Sequence, residues 1–302
     1  MEFSQSTKKN IICDSVILYT GIFTNLGVLI HLHKTWISRN RVQVYVLVLC
    51  VADCLGLILR QCVEVGLHTT ETWNTGEIGC KIIMSISMAG TFLAHLVLVT
   101  FNIDNLVVVT YKQSPSPVRL CQLACAVLMT ALFIGVKMHL YHIEIHPIYA
   151  TLRQCTPFGR ISVDQELIYG VVDVVAVVLF PGLLIAVCGA LAFIHRRNVY
   201  STEKGVRQQY DDNDDAKRDL WDMKYDILYT TTLDCLFTVC WLPYSIMKMF
   251  LLTHTGLFHE RNHYLKIWDA LTYLSMVNHC FNPLVYGLFF IVYGRKKTPV
   301  HI

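Results

Sequence analysis

Several ionisable side chains of this 302-residue chain lie inside long apolar stretches, where an unpaired charge is costly. Asp53, Arg60 and Asp234 are the clearest cases. A group of this kind needs a charge partner, a bound ion or a proton, so each is a candidate functional residue. Hydrolytic chemistry would require a nucleophile, a base or metal ligands that converge on one place. The apolar stretches contain no such combination, so the sequence does not predict an enzyme.

The composition indicates a protein of the membrane. Hydrophobic residues make up 54% of the chain and charged residues only 16%, whereas soluble domains average about 25% charged residues. The formal charge of +3 is too small to indicate a nucleic-acid partner. Apolar residues are too plentiful for disorder, and 12 cysteines are too few for a scaffold that depends on disulfides. A protein that crosses the lipid bilayer several times remains.

Seven stretches are long and apolar enough to cross a bilayer as helices, which takes about 20 residues each. They run near Ile11–His33, Val42–Leu67, Ile78–Thr110, Val118–Tyr141, Gln165–His195, Lys224–Thr253 and Leu265–Tyr293. The predicted fold is therefore an all-α membrane protein, a single bundle of seven transmembrane helices formed by residues 1–302. We find no internal repeat, which weighs against many transporter folds.

The distribution of cations predicts the orientation of the bundle. More than half of the 25 lysines and arginines fall in the connections on one side of the predicted spans, and such an excess marks the cytoplasmic side. That side includes a charged third cytoplasmic loop, residues 196–223, and a short tail, residues 294–302. With seven spans, the short N-terminal segment, residues 1–10, is then extracellular.

Landmark motifs stand in order along the predicted spans. The third span opens with the pattern W-x-x-G-x-x-x-C, the sixth contains C-W-x-P, and the seventh ends with N-P-x-x-Y. These are Trp73 to Cys80, Cys240-Trp241-Leu242-Pro243 and Asn282-Pro283-Leu284-Val285-Tyr286, accompanied by Asn25, Asp53 and Pro181. The ordered set resembles the rhodopsin-like (class A) family of G-protein-coupled receptors over nearly the whole chain.

The resemblance implies a multi-pass receptor of the plasma membrane. Such a receptor binds an extracellular ligand and signals to a heterotrimeric G protein through outward movement of the sixth helix. In the family, the cysteines that correspond to Cys80 and Cys155 form a disulfide over the mouth of the bundle. Both cysteines fall on the outer, oxidising side of this chain.

The resemblance also implies an activation relay in the middle of the bundle. Prolines remove helix hydrogen bonds and provide hinges for movement of the cytoplasmic helix ends. In the family, Phe237 and Trp241 would transmit ligand contact to the sixth helix, although both also suit an ordinary aromatic core. The complete set is Pro181, Phe237, Trp241, Pro243, Asn282, Pro283 and Tyr286.

The ligand pocket of the family, carried over by position, mixes acids and bases. It comprises Arg60, Glu64, Ser87, Met88, Thr91, Tyr169, Asp173, Trp241, Tyr244, Lys248, Trp268, Asp269 and Thr272. Ser87 stands where amine receptors have an aspartate, and Met276 stands where opsins have the lysine that binds retinal. A peptide or small zwitterion is therefore expected rather than an amine or retinal. Alternatively, Arg60 and Glu64, four residues apart on one helix, pair with each other.

Two buried acids have open interpretations. In the family, the position of Asp53 helps to hold a sodium ion, to which Asn278 and Asn282 could contribute oxygens. Asp53 could instead be hydrogen-bonded by Asn282 and His279. No other cofactor is expected. Asp234 is either a functional group or a protonated acid bonded to a carbonyl. At the outer end of the fourth span, His139, His142, Glu144 and His146 could share a zinc ion or be solvated.

The cytoplasmic face departs from the family. The third span reads Asp104-Asn105-Leu106 where the family has Asp-Arg-Tyr, and Met223 stands where the sixth helix usually has the acid that pairs with this arginine. Gly189 replaces the usual tyrosine of the fifth helix. The charged lock of the family is therefore expected to be absent, which places G-protein coupling in question. The alternatives are a non-signalling decoy or accessory receptor and, in another class, an ion-coupled transporter.

Overall fold

The computed structural model describes residues 5–35, 41–70, 72–111, 116–145, 153–156, 163–207, 214–253 and 261–290. The N-terminal end of the segment 1–10, the centre of the 196–223 loop and the whole 294–302 tail lie outside these residues. Nearly everything described is helical. The helices are Gln5–Lys34, Arg41–Thr70, Gly76–Ser87, Ala89–Tyr111, Ser116–Leu140, Val163–Val174, Phe180–Arg207, Asp214–Thr253 and Arg261–Phe289.

These helices form the seven predicted spans. Six segments are long and apolar enough to cross a membrane: Thr7–Lys34, Arg41–Thr70, Gly76–Tyr111, Ser116–Leu140, Leu167–His195 and Lys224–Thr253. The seventh predicted span corresponds to the helix Arg261–Phe289. The all-α membrane fold is thus confirmed, whereas the side of the membrane that each terminus faces stays a prediction. Below, the spans are numbered in chain order, and the two ends of the bundle are named by the predicted orientation: Cys80 lies at the outer end and Asp104 at the cytoplasmic end.

The third span lies at the centre of the bundle. It packs against the second, fourth, fifth and sixth spans, while the first span closes the ring by packing against the second and seventh. Close approach of the second and third spans depends on two glycines. A Cβ atom on Gly90 would overlap the backbone of Gly56, and small residues are what allow helices to approach closely in lipid.

The predicted disulfide pins a short hairpin to the outer end of the third span. Strands His142–Ile145 and Arg153–Thr156 pair antiparallel, with Ile143 opposite Cys155. Cys155 is bonded to Cys80, and their Cα atoms are 5.6 Å apart. The backbone N–H of Ile143 also donates to Glu77 Oε2 at 2.9 Å. The second outer connection is therefore held against the mouth of the bundle.

Pro181 leaves a backbone carbonyl that another helix satisfies. The fifth span has a wider, π-helical turn at Val175–Leu179. Pro181 has no N–H to offer the carbonyl of Val177, four residues earlier. His95 of the third span fills this role, with Nδ1 2.8 Å from the Val177 oxygen. Pro243 and Pro283 lie inside continuous helices of the sixth and seventh spans.

The charged loop 196–223 is largely an extension of its neighbouring helices. The helix of the fifth span continues to Arg207, and the helix of the sixth span begins at Asp214. Residues 208–213 and the side chain of Met223 lie outside the described part. The helix of the sixth span therefore projects well beyond its apolar segment, Lys224–Thr253.

Candidate functional site

An ion cluster joins three spans at the outer end of the bundle. Asp173 of the fifth span forms ion pairs with Lys137 of the fourth span and Lys248 of the sixth span, the second at 2.6 Å. Lys137 also lies over the ring of Phe133, 5.3 Å from its centroid. Two cations share one carboxylate here, so the cluster has a surplus positive charge. Asp173 and Lys248 are among the lining residues predicted from the sequence, whereas Lys137 is not.

The first, second and seventh spans form an acidic wall, which contains the carboxylates of Asp14, Glu64 and Asp269. Arg60 Nη2 lies 3.6 Å from Glu64 Oε1, and Arg60 Nη1 lies 2.7 Å from the sulfur of Met88. The alternative in which Arg60 and Glu64 pair is therefore the arrangement in the structure. Glu64 also lies near Asp14, a buried residue of the first span that sequence reasoning missed.

Asp14 brings two further groups into this wall. Its Oδ2 atom is 3.5 Å from His68 Nε2. Asp269 of the seventh span interacts electrostatically with Asp14 and accepts a hydrogen bond from the side chain of Asn10. Three carboxylates, those of Asp14, Glu64 and Asp269, thus face Arg60, His68 and Lys9. The wall has more carboxylates than permanently charged cations, which is the opposite balance to that of the Lys137–Asp173–Lys248 cluster.

The remaining residues predicted to line the ligand pocket lie in different surroundings. Tyr244 and Trp268 pack together with ring centroids 5.0 Å apart, and Tyr244 also packs against Trp241. Ser87 is buried and donates to the carbonyl of Met84 in its own helix. The hydroxyl oxygen of Thr272 is buried without a partner among the described residues. Tyr169 is 39% exposed.

Tyr141, which directly follows the fourth helix, interacts electrostatically with both the Lys137–Asp173–Lys248 cluster and the acidic wall. Burial raises the pKa of its phenol to about 12, and the carboxylate of Asp173 acts in the same direction. The hydroxyl group therefore remains protonated at physiological pH and can donate a hydrogen bond. Arg60, which also interacts with Tyr141, opposes the rise in pKa.

His95 lies at the centre of the predicted relay, although the sequence analysis did not include it. Its ring packs edge-on against Trp241, with centroids 4.5 Å apart, and against Phe237, at 4.9 Å. Because Nδ1 bonds to the Val177 carbonyl, His95 connects the Pro181 region of the fifth span to both aromatic residues of the sixth span. Within the described residues, His95 Nε2 and Trp241 Nε1 have no hydrogen-bond partner.

Asp53 is held by two side chains of the seventh span. His279 Nδ1 is 2.6 Å from one carboxylate oxygen, and Asn282 Nδ2 donates to the other at 2.9 Å. The hydroxyl of Thr91 lies 3.4 Å from His279 Nε2. In the Nδ1–H tautomer, the ring donates to Asp53 and accepts from Thr91, which satisfies both nitrogens.

The sodium site expected from the sequence stays a prediction, and the hydrogen bonds of Asp53 restrict it. Each carboxylate oxygen of Asp53 already accepts one hydrogen bond, from His279 or Asn282. Asn278, the third predicted ligand, has a buried Oδ1 atom that has no partner among the described residues. A cation beside Asp53 would have to share the carboxylate with the imidazole or displace it.

Below Asp53, aromatic side chains connect the sixth and seventh spans. Tyr286 packs near Tyr229, with ring centroids 6.3 Å apart, and Tyr229 also packs against Phe289 and Phe101. Asn25 of the first span donates to the carbonyl of His279 at 3.0 Å. The carbonyl oxygen that Pro283 leaves without an N–H partner therefore receives a donor from another helix.

At the predicted coupling motif, an arginine from the second span replaces the missing arginine of the third span. Arg41 Nη1 donates to Asp104 at 2.7 Å and to Asn105 at 2.8 Å, while Nη2 donates to Asp226 of the sixth span at 2.5 Å. Leu106 packs at the edge of a small apolar cluster. The family's own lock lacks its residues in this chain, and an ion cluster built on Arg41 joins the same two spans at this end.

Asp234 is bonded to a side chain rather than to a carbonyl. Asn102 of the third span donates to Asp234 Oδ1 at 2.9 Å. Gly189 lies beside this pair, and a Cβ atom there would be 3.6 Å from an oxygen of each partner. The position without its usual tyrosine thus faces a polar contact between the third and sixth spans.

No group of three or more His, Cys, Asp or Glu residues suited to a metal occurs within the described ranges.

Comparison with known proteins supports the architecture. The sequence model of the family described as 7 transmembrane receptor (rhodopsin family) matches residues 24–286. The chain belongs to this family. Members of this family are receptors rather than enzymes. The match extends from the Asn25 landmark to Tyr286, so the motifs, the relay and the Asp53 region all fall within it.

Among curated proteins, this rhodopsin-family chain is similar to gonadotropin-releasing hormone receptors and to a bombesin receptor at low identity. It is 20% identical over 268 residues to the gonadotropin-releasing hormone receptor of Rattus norvegicus, covering 83% of this chain and 77% of that receptor. Its identity to the [Phe13]-bombesin receptor of Bombina orientalis is also 20%, over 272 residues, covering 87% and 64% of the two chains. Identity at this level does not transfer a ligand.

Proposed function

We propose that this rhodopsin-family receptor works at the plasma membrane and binds a peptide or small zwitterion at the outer end of its bundle. The opposite charges of the Lys137–Asp173–Lys248 cluster and the acidic wall support a ligand that has a charged group of each sign. An anionic group complements the surplus positive charge of Lys137 and Lys248, and a cationic group complements Asp14, Glu64 and Asp269. The similarity to peptide receptors agrees with this ligand class.

The observation that carries the proposal is that the sixth span is held by ion pairs at both ends. Lys248 is paired with Asp173 at the outer end, and Asp226 is paired with Arg41 at the cytoplasmic end. A ligand anion that competes with Asp173 for Lys248 acts directly on the helix that must move. Such a ligand shifts the population towards the moved state only by its difference in affinity between the two states.

The relay residues lie between these two ends. Tyr244, one turn below Lys248, packs against Trp241, and Trp241 packs against His95. His95 in turn bonds to the fifth span at Val177. A displacement of the sixth span at its outer end must therefore repack Trp241 and His95. A cytoplasmic partner that prefers the moved state would strengthen ligand binding by the same free energy.

The experiment measures G-protein activation in cells that express the chain at matched surface levels. Synthetic short peptides with one basic and one acidic group, each made as a free acid and as an amide, serve as probes. We expect an active peptide whose effect is lost in Lys248→Ala and retained in Lys266→Ala, an exposed lysine of the seventh span. Activation that survives Lys248→Ala would contradict the assigned contact.

A second candidate, a decoy or accessory receptor, is favoured by the loss of two coupling residues. Asn105 cannot act as the family arginine does, and Gly189 has no side chain to support the moved state. This candidate predicts peptide binding to purified protein without activation of any G-protein class. Ion uptake or current in proteoliposomes would instead support the transporter reading.

A further inference from the structure

The contact between the third and sixth spans at the cytoplasmic end passes through Arg41 of the second span. This arginine is the first residue of its helix. One guanidinium nitrogen donates to Asp104 and Asn105 of the third span, and the other donates to Asp226 of the sixth span. The Asn105 amide then donates to the hydroxyl of Thr230, also on the sixth span. Three helices are thus joined by one cation and one amide.

Arginine suits this position because its planar guanidinium presents several donors in fixed directions. It can therefore bond two carboxylates and an amide oxygen at once, whereas the ammonium group of lysine is a single point charge. Arg41 is 13% exposed, so its charge is largely removed from water and depends on these partners. Removal of a partner from a buried ion pair is strongly unfavourable.

The two ion pairs of Arg41 differ in how easily they can open. Asp104 is 0% exposed and cannot regain water unless the bundle opens around it, so its bond to Arg41 is the permanent one. Asp226 is 25% exposed, so water already reaches its carboxylate. Asp226 also lies on the span that moves in the proposed function. The Arg41–Asp226 pair is therefore the contact that can break reversibly.

We propose that Arg41 holds the sixth span closed against the third span through its ion pair with Asp226, a charged contact that the uncharged Asn105 cannot make. When the sixth span swings outward, Arg41 stays with Asp104, and one of its guanidinium nitrogens turns towards the opened cytoplasmic cavity. The consequence for signalling rests on the proposed function. The holding itself is a property of the unliganded protein.

The test measures the distance between the third and sixth spans in purified receptor without ligand or G protein. Spin labels on genetically encoded keto amino acids replace Tyr111 and Leu228, which are 71% and 42% exposed. This chemistry leaves the native cysteines unlabelled. Pulsed electron paramagnetic resonance then gives the populations of the closed and open distances.

We expect Asp226→Asn and Arg41→Gln each to raise the ratio of open to closed receptor about tenfold, as for loss of a charge-assisted hydrogen bond. The double variant should be no more open than Arg41→Gln alone, because both changes remove one contact. Arg119→Gln is the matched control, an arginine at the same end of the bundle that donates to Ser116 of its own helix. It should leave the ratio unchanged.

The Asp226→Asn variant keeps the proposal testable if Arg41→Gln does not fold, because it leaves the buried Arg41–Asp104 pair intact. A purely structural role for Arg41 predicts a lower melting temperature with an unchanged distance distribution. That result in both single variants would overturn the proposal. Since neither ligand nor G protein is present, failure of the proposed function does not affect the outcome.

Discussion

The imidazole of His279 lies 2.6 Å from the carboxylate of Asp53. This is the position for which the family resemblance predicts a sodium ion. Asn282 donates to the other carboxylate oxygen at 2.9 Å. Both Asp53 and His279 are fully buried. A histidine that donates to the acid provides the partner that an intramembrane carboxylate requires, without a metal ion.

The first prediction concerns sodium. Because the imidazole of His279 occupies the space beside Asp53, the melting temperature of the purified receptor should be the same in sodium chloride and in choline chloride. The variant His279→Ser removes the ring and should become more stable in sodium, since Asp53 and the free Asn278 oxygen could then bind the ion. Stabilisation of the unmodified chain by sodium would show that the ion displaces His279.

The second prediction concerns the charge balance of the outer cluster. Asp173→Asn leaves the buried Lys137 and the half-buried Lys248 without a counter-charge and should cost about 3–5 kcal/mol of stability, as for broken buried ion pairs. Lys137→Gln leaves one lysine with one aspartate and should cost less. Thermal unfolding in detergent measures both. Equal losses would mean that the two lysines do not share Asp173.

The third prediction concerns His95. The variant His95→Leu keeps an apolar side chain of similar size beside Phe237 and Trp241 but leaves the Val177 carbonyl without a donor. An unsatisfied buried group costs about 1–3 kcal/mol, so the melting temperature should fall. His95→Gln retains a donor and should recover part of the loss. Identical stability of the two variants would indicate that the Val177 contact contributes little.

The fourth prediction concerns restoration of the third-span arginine. Asn105→Arg would place a second guanidinium group beside Arg41, in a site with two carboxylates. The two cations should compete for Asp104 and Asp226, so this variant should open the sixth span rather than lock it. The spin-label distances between positions 111 and 228 measure this effect. A more closed receptor would mean that Arg41 moves aside without cost.

The fifth prediction concerns the outer hairpin. Cys80→Ser and Cys155→Ser should each reduce delivery of the receptor to the cell surface, and the double variant should be no worse than either, because all three lose the same bond. Antibody staining of an N-terminal epitope on intact cells measures delivery. Cys62→Ser, which changes an exposed free cysteine, is the control. An additive loss in the double variant would point to separate roles of the two thiols.

The fold and the landmark residues could be predicted from the sequence because they depend on local features. Length and apolarity set the spans, and the Cys80, Trp241 and Asn282 motifs can be read within single helices. The disulfide followed from a family pattern. Each of these features depends on residues that are neighbours in the chain or on one recognised pairing.

Contacts between helices were the part that sequence reasoning missed. Lys137, Asp14, His95 and Arg41 lie on four different spans, and each acquires its role only from residues far away in the chain. The predicted second span begins at Val42, which leaves Arg41 among the cations of the preceding connection. A useful signal was available: a buried acid such as Asp104 needs a donor, and the arginine usually adjacent to it was absent.

The most direct measurement is basal G-protein activation in cells, without ligand, for the unmodified chain, Arg41→Gln and Arg119→Gln at matched surface levels. All G-protein classes are compared. The account predicts that Arg41→Gln raises the activation of at least one class several-fold above the unmodified chain, whereas Arg119→Gln does not. The contrary result is a variant Arg41→Gln whose sixth span opens in the distance measurement but whose basal G-protein activation stays at the level of untransfected cells in every class. That result would contradict a receptor that signals through this helix.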